Sequence, residues 1–193
     1  MVNTMTPSST NQNKMFIDPK TLLVDSFRLA KMVYDDRYIP DMIIAVWRGG
    51  TPVGIAVHEF FRYKGYNPAH TAVKCGLYSG FAPGHSVEIS GVDTAVTELT
   101  HDDRLLIVDD VFDSGVTLSS LINDIKTKKR EETPEIRIAT VYYKPRNNKT
   151  GLEPDYFIKR TNRWLVFPHE LEGLSENELR KKGKIICDLF RAD

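Results

Sequence analysis

Three short apolar runs constrain this chain more than any other feature: MIIAVW at 42–47, LLIV at 105–108 and IRIATVYY at 136–143. Each is bounded by polar or glycine-containing residues, and each reads as a strand buried on both faces. The stretches around them carry a helical period instead. Leu23, Phe27, Ala30 and Tyr34 fall on one stripe of an expected helix over 19–38, with Pro19 in its first turn and Pro40 marking its end. Val53, Val57 and Phe60 face inward on an expected helix over 52–63, and Leu118, Leu121, Ile122 and Ile125 on one over 117–129. Further strands are expected at 70–74, 104–108, 156–158 and 164–167, and a terminal helix at 175–190, opened by a Ser175/Glu178 capping box. This alternation predicts an α/β fold, with a mostly parallel sheet flanked by helices on both faces.

A length of 193 residues suits one domain with a full core. Residues 1–14 are polar and aperiodic and are expected to be a disordered tail, which leaves 15–193 as a single domain. Residues 76–91 (GLYSGFAPGHSVEISG) read as a long loop, of the kind that often serves as a functional lid or flap. The 26 basic residues balance the 26 acidic ones, so composition gives no support for a nucleic-acid or membrane surface, and ligand charge has to be met locally. Cys75 and Cys187 are the only cysteines, too few for a disulfide framework or a zinc signature. With no long apolar stretch and no signal-peptide core, a cytoplasmic location is expected.

In sheets of this kind ligands bind beyond the carboxyl ends of the strands. Polar clusters stand just there, after Trp47, after Val108 and after Tyr143. The richest is the second: Asp109-Asp110, then Asp113-Ser114-Gly115-Val116-Thr117, then a helix. A helix N-terminus offers unpaired N–H groups and a positive dipole end to an anion. Gly115 lets backbone approach a phosphate, and Ser114 and Thr117 add hydroxyl donors. Carboxylates beside a phosphate site would repel the ligand unless it brings hydroxyls or a cation. A sugar phosphate with a free diol brings the first and Mg²⁺ the second. Helix capping alone would account for one such residue, not for three aspartates, a glycine and two hydroxyls together.

The segment LLIVDDVFDSGVT (105–117) resembles the phosphoribosyl-pyrophosphate signature of the type I phosphoribosyltransferases. The resemblance implies that Asp109 and Asp110 hold the ribose hydroxyls and magnesium, that Ser114, Gly115, Val116 and Thr117 hold the 5′-phosphate, and that Asp113 is the general base. It identifies Arg48-Gly49-Gly50 as a pyrophosphate-binding loop, with a cis peptide expected between Arg48 and Gly49. The stretch 144–170, an expected purine-pocket hood, is similar to the small bacterial xanthine/hypoxanthine-guanine type. That likeness implies Lys144 for the purine O6, Trp164 for stacking, Leu165 for backbone contacts and Glu170 for magnesium. A lysine has donors only, so it suits an oxo group and leaves a 6-amino group badly paired.

The implied reaction joins phosphoribosyl pyrophosphate and a 6-oxopurine (hypoxanthine, guanine or xanthine), with Mg²⁺ as cofactor, in a homodimer or homotetramer. Two alternatives stay open: the same fold acting on orotate, uracil or adenine, and a non-enzymatic regulator that binds the sugar donor. The chain departs from the family pattern at Val116, where human-type enzymes have lysine, at Lys74-Cys75-Gly76, where a Ser-Tyr pair is usual, and at His169, where an aromatic is common.

Overall fold

The computed structural model describes residues 14–77 and 87–190. In chain order the elements are β1 (Met15–Phe16), α1 (Pro19–Asp35), β2 (Met42–Trp47), α2 (Gly50–Tyr63), β3 (Ala69–Leu77), β4 (Val87–Ser90), α3 (Val92–Val96), β5 (Arg104–Phe112), α4 (Val116–Lys129), β6 (Glu135–Tyr143), β7 (Tyr156–Arg160), β8 (Leu165–Val166), α5 (Glu176–Arg180) and α6 (Lys184–Leu189). They form two compact units. One is Pro19–Asn162. The other is built from both ends of the chain, where residues 14–18 and 163–190 are described. The boundary between the units falls inside the expected 144–170 hood. Apart from Lys14, the expected tail lies outside the described residues.

The larger unit carries a six-stranded sheet in the order β4-β3-β2-β5-β6-β7. Every pairing is parallel except that of β3 with β4, so the α/β architecture expected from the alternation is the one observed. The central strands are the apolar runs: Ile44 and Leu105–Val108 are fully buried, as strands covered on both faces must be. Below the sheet's α4 side, Leu118, Leu121, Ile122 and Ile125 pack into a core with Val46, Val73, Ile107 and Phe112, the inward set that the period of α4 predicts.

Four expectations need correction. On α1 the buried face is Leu22, Leu29, Ala30 and Val33, whereas Leu23 and Phe27 are exposed. Two polar residues disguise that face. Asp25 is buried because Arg28 and Lys159 both pair with it, and the Ser26 hydroxyl donates to the Leu22 carbonyl at 2.8 Å. On α2 it is Phe61, not Phe60, that is fully buried beside Val53 and Val57. The terminal helix is two short helices, broken at Gly183 with φ +125. The ends of the expected 76–91 loop are strand, since β3 runs to Leu77 and pairs with β4; residues 78–86 lie outside the described residues.

In the smaller unit β1 and β8 form a two-stranded parallel sheet that pairs Met15 with Leu165 and Phe16 with Val166. The Ser175/Glu178 capping box forms as its sequence predicts. No described helix is long and apolar enough to cross a membrane.

Candidate active site

β5 does not stop at Val108. Asp109, Val111 and Phe112 continue the pairing with β6, opposite Thr140, Tyr142 and Tyr143. The acidic pair therefore rides on a strand rather than in a flexible loop. Asp110 is buried and Asp109 partly so. Burial, and then the neighbouring Asp110 carboxylate, push the Asp109 carboxyl well above the usual carboxylate range. The Asp110 N–H donates to Asp109 Oδ1 at 2.9 Å, which offsets part of that effect.

The Arg48-Gly49-Gly50 turn closes directly onto this pair. A Cβ at Gly49 would lie 2.2 Å from Asp110 Oδ2, and one at Gly50 would lie 2.5 Å from the Val108 carbonyl oxygen and 3.0 Å from Asp109 Oδ1. Only glycine allows that approach. The cis peptide of this turn joins Trp47 to Arg48, one bond earlier than the expected Arg48–Gly49 position. Arg48 is exposed at the mouth of the turn, and the Thr51 N–H donates back to its carbonyl at 3.2 Å.

On the far side of the acidic pair, Asp113–Gly115 leads into α4. Gly115 precedes the helix in the left-handed region, φ +77, and a Cβ there would strike the Phe112 ring at 2.7 Å and Thr150 Oγ1 at 2.6 Å. The Ser114 hydroxyl accepts from the Val116 N–H at 3.4 Å, and Val116 and Thr117 open the first turn of α4. That turn presents N–H groups with no carbonyl four residues back inside the helix, an anion-binding arrangement.

Lys144 follows β6 directly, and its N–H donates to the Phe112 carbonyl at 2.9 Å, which fixes it against the end of β5. The side chain is buried, and its Nζ lies 2.6 Å from Asp113 Oδ2. The two residues expected to read the purine O6 and to take its proton thus pair with each other. Asn147, which the sequence did not mark, donates its Nδ2 to Asp113 Oδ1 at 2.6 Å. The same loop is pinned to the phosphate turn by the Lys149 N–H, which donates to the Ser114 carbonyl at 2.9 Å. Burial, and then the Asp109 and Asp124 carboxylates, push the Cys75 thiol up to about 11, away from the thiolate form.

The smaller unit holds Trp164, Leu165 and Glu170. Trp164 is 56% exposed, while its carbonyl accepts from the Met15 N–H at 2.7 Å. The Ile17 N–H reaches the Val166 carbonyl at 2.9 Å, so the N–H and C=O of Leu165 itself point to the opposite edge of β8. Glu170 Oε2 accepts from the Phe167 N–H at 2.8 Å and closes its own turn. The His169 ring stacks on Phe167, with centroids 5.7 Å apart.

Among the described residues no cluster of three or more His, Cys, Asp or Glu is assembled for a metal. Magnesium does not need one, since it commonly binds through one or two carboxylates plus substrate phosphates, and the adjacent Asp109 and Asp110 carboxylates at the end of β5 fit that mode.

Comparison with known proteins agrees with this fold. No curated protein matches the chain by sequence. Among solved structures, a purine phosphoribosyltransferase from Pyrococcus horikoshii Ot3 is 29% identical, with a TM-score of 0.63 over 84% of this chain and 97% of that one. A Helicobacter pylori xanthine-guanine-hypoxanthine phosphoribosyltransferase is 21% identical, with a TM-score of 0.65 over 83% and 96% of the two chains. A hypothetical protein from Neisseria gonorrhoeae with bound ppGpp is 16% identical, with a TM-score of 0.70 over 93% and 98%. The last two are similar in fold alone. The model of the phosphoribosyl transferase domain matches residues 17–174, and the chain belongs to that family.

Proposed function

We propose that the protein transfers the 5-phosphoribosyl group from phosphoribosyl pyrophosphate to a 6-oxopurine, giving the nucleoside monophosphate and pyrophosphate. The observation that carries the choice of acceptor is the Lys144–Asp113 pair. It sets a donor-only ammonium beside an acceptor carboxylate, the complement of a purine edge with an acceptor O6 and a donor N7–H. Adenine offers two donors along that edge and leaves the ammonium without an acceptor. The likeness to the Pyrococcus horikoshii purine phosphoribosyltransferase supports a purine as the acceptor.

In this reading the first turn of α4, with Ser114, Gly115, Val116 and Thr117, holds the 5′-phosphate, and the Arg48–Gly50 turn holds the pyrophosphate. Asp109 and Asp110 hold the ribose hydroxyls and are the residues that would hold magnesium. When bound, that ion supplies positive charge to the leaving pyrophosphate. Purine N9 forms a bond to C1′ as the bond from C1′ to the pyrophosphate oxygen breaks and its electron pair leaves with pyrophosphate. The N7 proton passes to Asp113. Lys144 orients the base through O6.

The test is release of pyrophosphate from the sugar donor with hypoxanthine, guanine, xanthine, adenine, orotate and uracil in turn. Turnover is expected with a 6-oxopurine, and kcat/KM for adenine is expected to be lower by about 10³-fold or more. Preferred use of adenine, orotate or uracil overturns the choice of acceptor. Donor binding with no turnover on any base assigns the protein to binding rather than catalysis.

A further inference from the structure

Asp113 is held on both oxygens: Oδ2 by the Lys144 ammonium and Oδ1 by the Asn147 amide, each at 2.6 Å. The two holds differ in kind. Lys144 is buried and fixed to the end of β5, and on the reading above it has a second task at the purine O6. When O6 arrives, the ammonium is shared, and Asp113 loses part of what orients it. Asn147 has no such second call. It lies on the exposed side of Asp113 and reaches only the oxygen that Lys144 does not.

The loop around Asn147 is built to keep it there. Its own N–H donates to the Lys144 carbonyl at 3.1 Å, which closes a turn. Next in line, the Asn148 side chain accepts from the Thr150 N–H at 2.9 Å and donates to the Leu152 carbonyl at 2.8 Å. The Lys149 N–H then ties the loop to the Ser114 carbonyl. Residues 144–152 therefore form one braced segment tied to the phosphate turn by Lys144 and Asn147 on Asp113 and by Lys149 on Ser114.

We infer that Asn147 is a positioning residue for proton transfer: it fixes the plane of the Asp113 carboxylate so that Oδ2 stays aimed at the purine N7–H while Lys144 engages O6. This rests on the assignment of Asp113 as the proton acceptor. An amide suits the role because it donates without adding charge beside the carboxylate.

The test is a mutant cycle in the full-length protein, with the preferred 6-oxopurine as acceptor. Asn147→Ala is expected to lower kcat about 10-fold, with the KM for the sugar donor unchanged. Asn147→Gln, which keeps the donor, is expected to restore kcat to within about threefold of the parent. In an Asp113→Asn background the Asn147→Ala change is expected to cost nothing further, because its effect runs through the lost carboxylate. A merely structural residue would lower kcat equally in both backgrounds and would not be rescued by Gln. Unchanged kcat in Asn147→Ala, or an equal loss in both backgrounds, overturns the inference while leaving Asp113 as the base. Unchanged kcat in Asp113→Asn itself, or no turnover by the parent protein with any 6-oxopurine, overturns the functional reading and this inference with it.

Discussion

Gly49 and Asp110 approach so closely that a single added methyl would lie 2.2 Å from the carboxylate oxygen. Gly49 has φ −64 and ψ −35, values that alanine adopts without strain, so the whole cost of Gly49→Ala is this contact. The methyl displaces the carboxylate or the turn, and both belong to the proposed donor site. We expect kcat/KM for phosphoribosyl pyrophosphate to fall about 100-fold, measured as pyrophosphate release at varied donor. A parental value would detach this turn from the donor site.

Asp109 sets a pH dependence of stability. Burial, and then Asp110, hold its folded pKa above the ordinary range, while the unfolded chain titrates in that range. At low pH both states are protonated and the site costs nothing. As pH rises from the ordinary carboxyl range towards the folded value, the unfolded chain gives up its proton while the native site keeps it, and stability falls until the native carboxyl also ionises. Asp109→Asn removes that penalty. Without donor or metal, its Tm is expected to exceed the parent's by about 2–4 °C at neutral pH, a gain on the order of 1 kcal/mol. The two curves should converge near pH 4, roughly the ordinary carboxyl range. A constant offset across that range would mean that the gain has another source.

Replacing Asp113 with asparagine keeps the shape of the side chain but removes a proton acceptor. The expected result is a fall in kcat of about 10²–10⁴-fold with donor binding intact, followed by steady-state kinetics and donor titration. Unchanged kcat removes Asp113 from the chemistry.

Gly115 joins two demands in one residue, a left-handed backbone and a methyl-sized space already taken by the Phe112 ring. Gly115→Ala is expected to destabilise the fold by about 1–3 kcal/mol, read from urea or thermal unfolding. A loss below about 0.5 kcal/mol would show that the turn can relax around the added methyl.

Much of this architecture was legible in the residues. LLIV and MIIAVW could be little other than central strands, and the spacing of Leu118, Leu121, Ile122 and Ile125 named the inner face of α4. Other features depend on partners far away in sequence. Asp25 looks like a surface residue until Lys159 arrives, which is why the inward stripe of α1 reads falsely. Val108 looks like the end of a strand because aspartates follow, yet pairing with β6 carries β5 on to Phe112. Asn147 lies in Arg-Asn-Asn-Lys-Thr-Gly, which reads only as a turn, and nothing local reveals the carboxylate that it meets. Which bond of the Trp47–Gly49 stretch is cis has no signature in composition or period.

The pairing of β1 with β8 has a consequence for biosynthesis. Met15 and Leu165 are neighbours in a two-stranded sheet, though nearly the whole larger unit is encoded between them. A ribosome that has delivered residues 19–162 has delivered every strand of the six-stranded sheet, while β1 still waits for a partner not yet translated. The unit that bears Trp164 is therefore the last to close, and the nascent chain carries its amino-terminal strand unmatched until the carboxyl-terminal segment emerges.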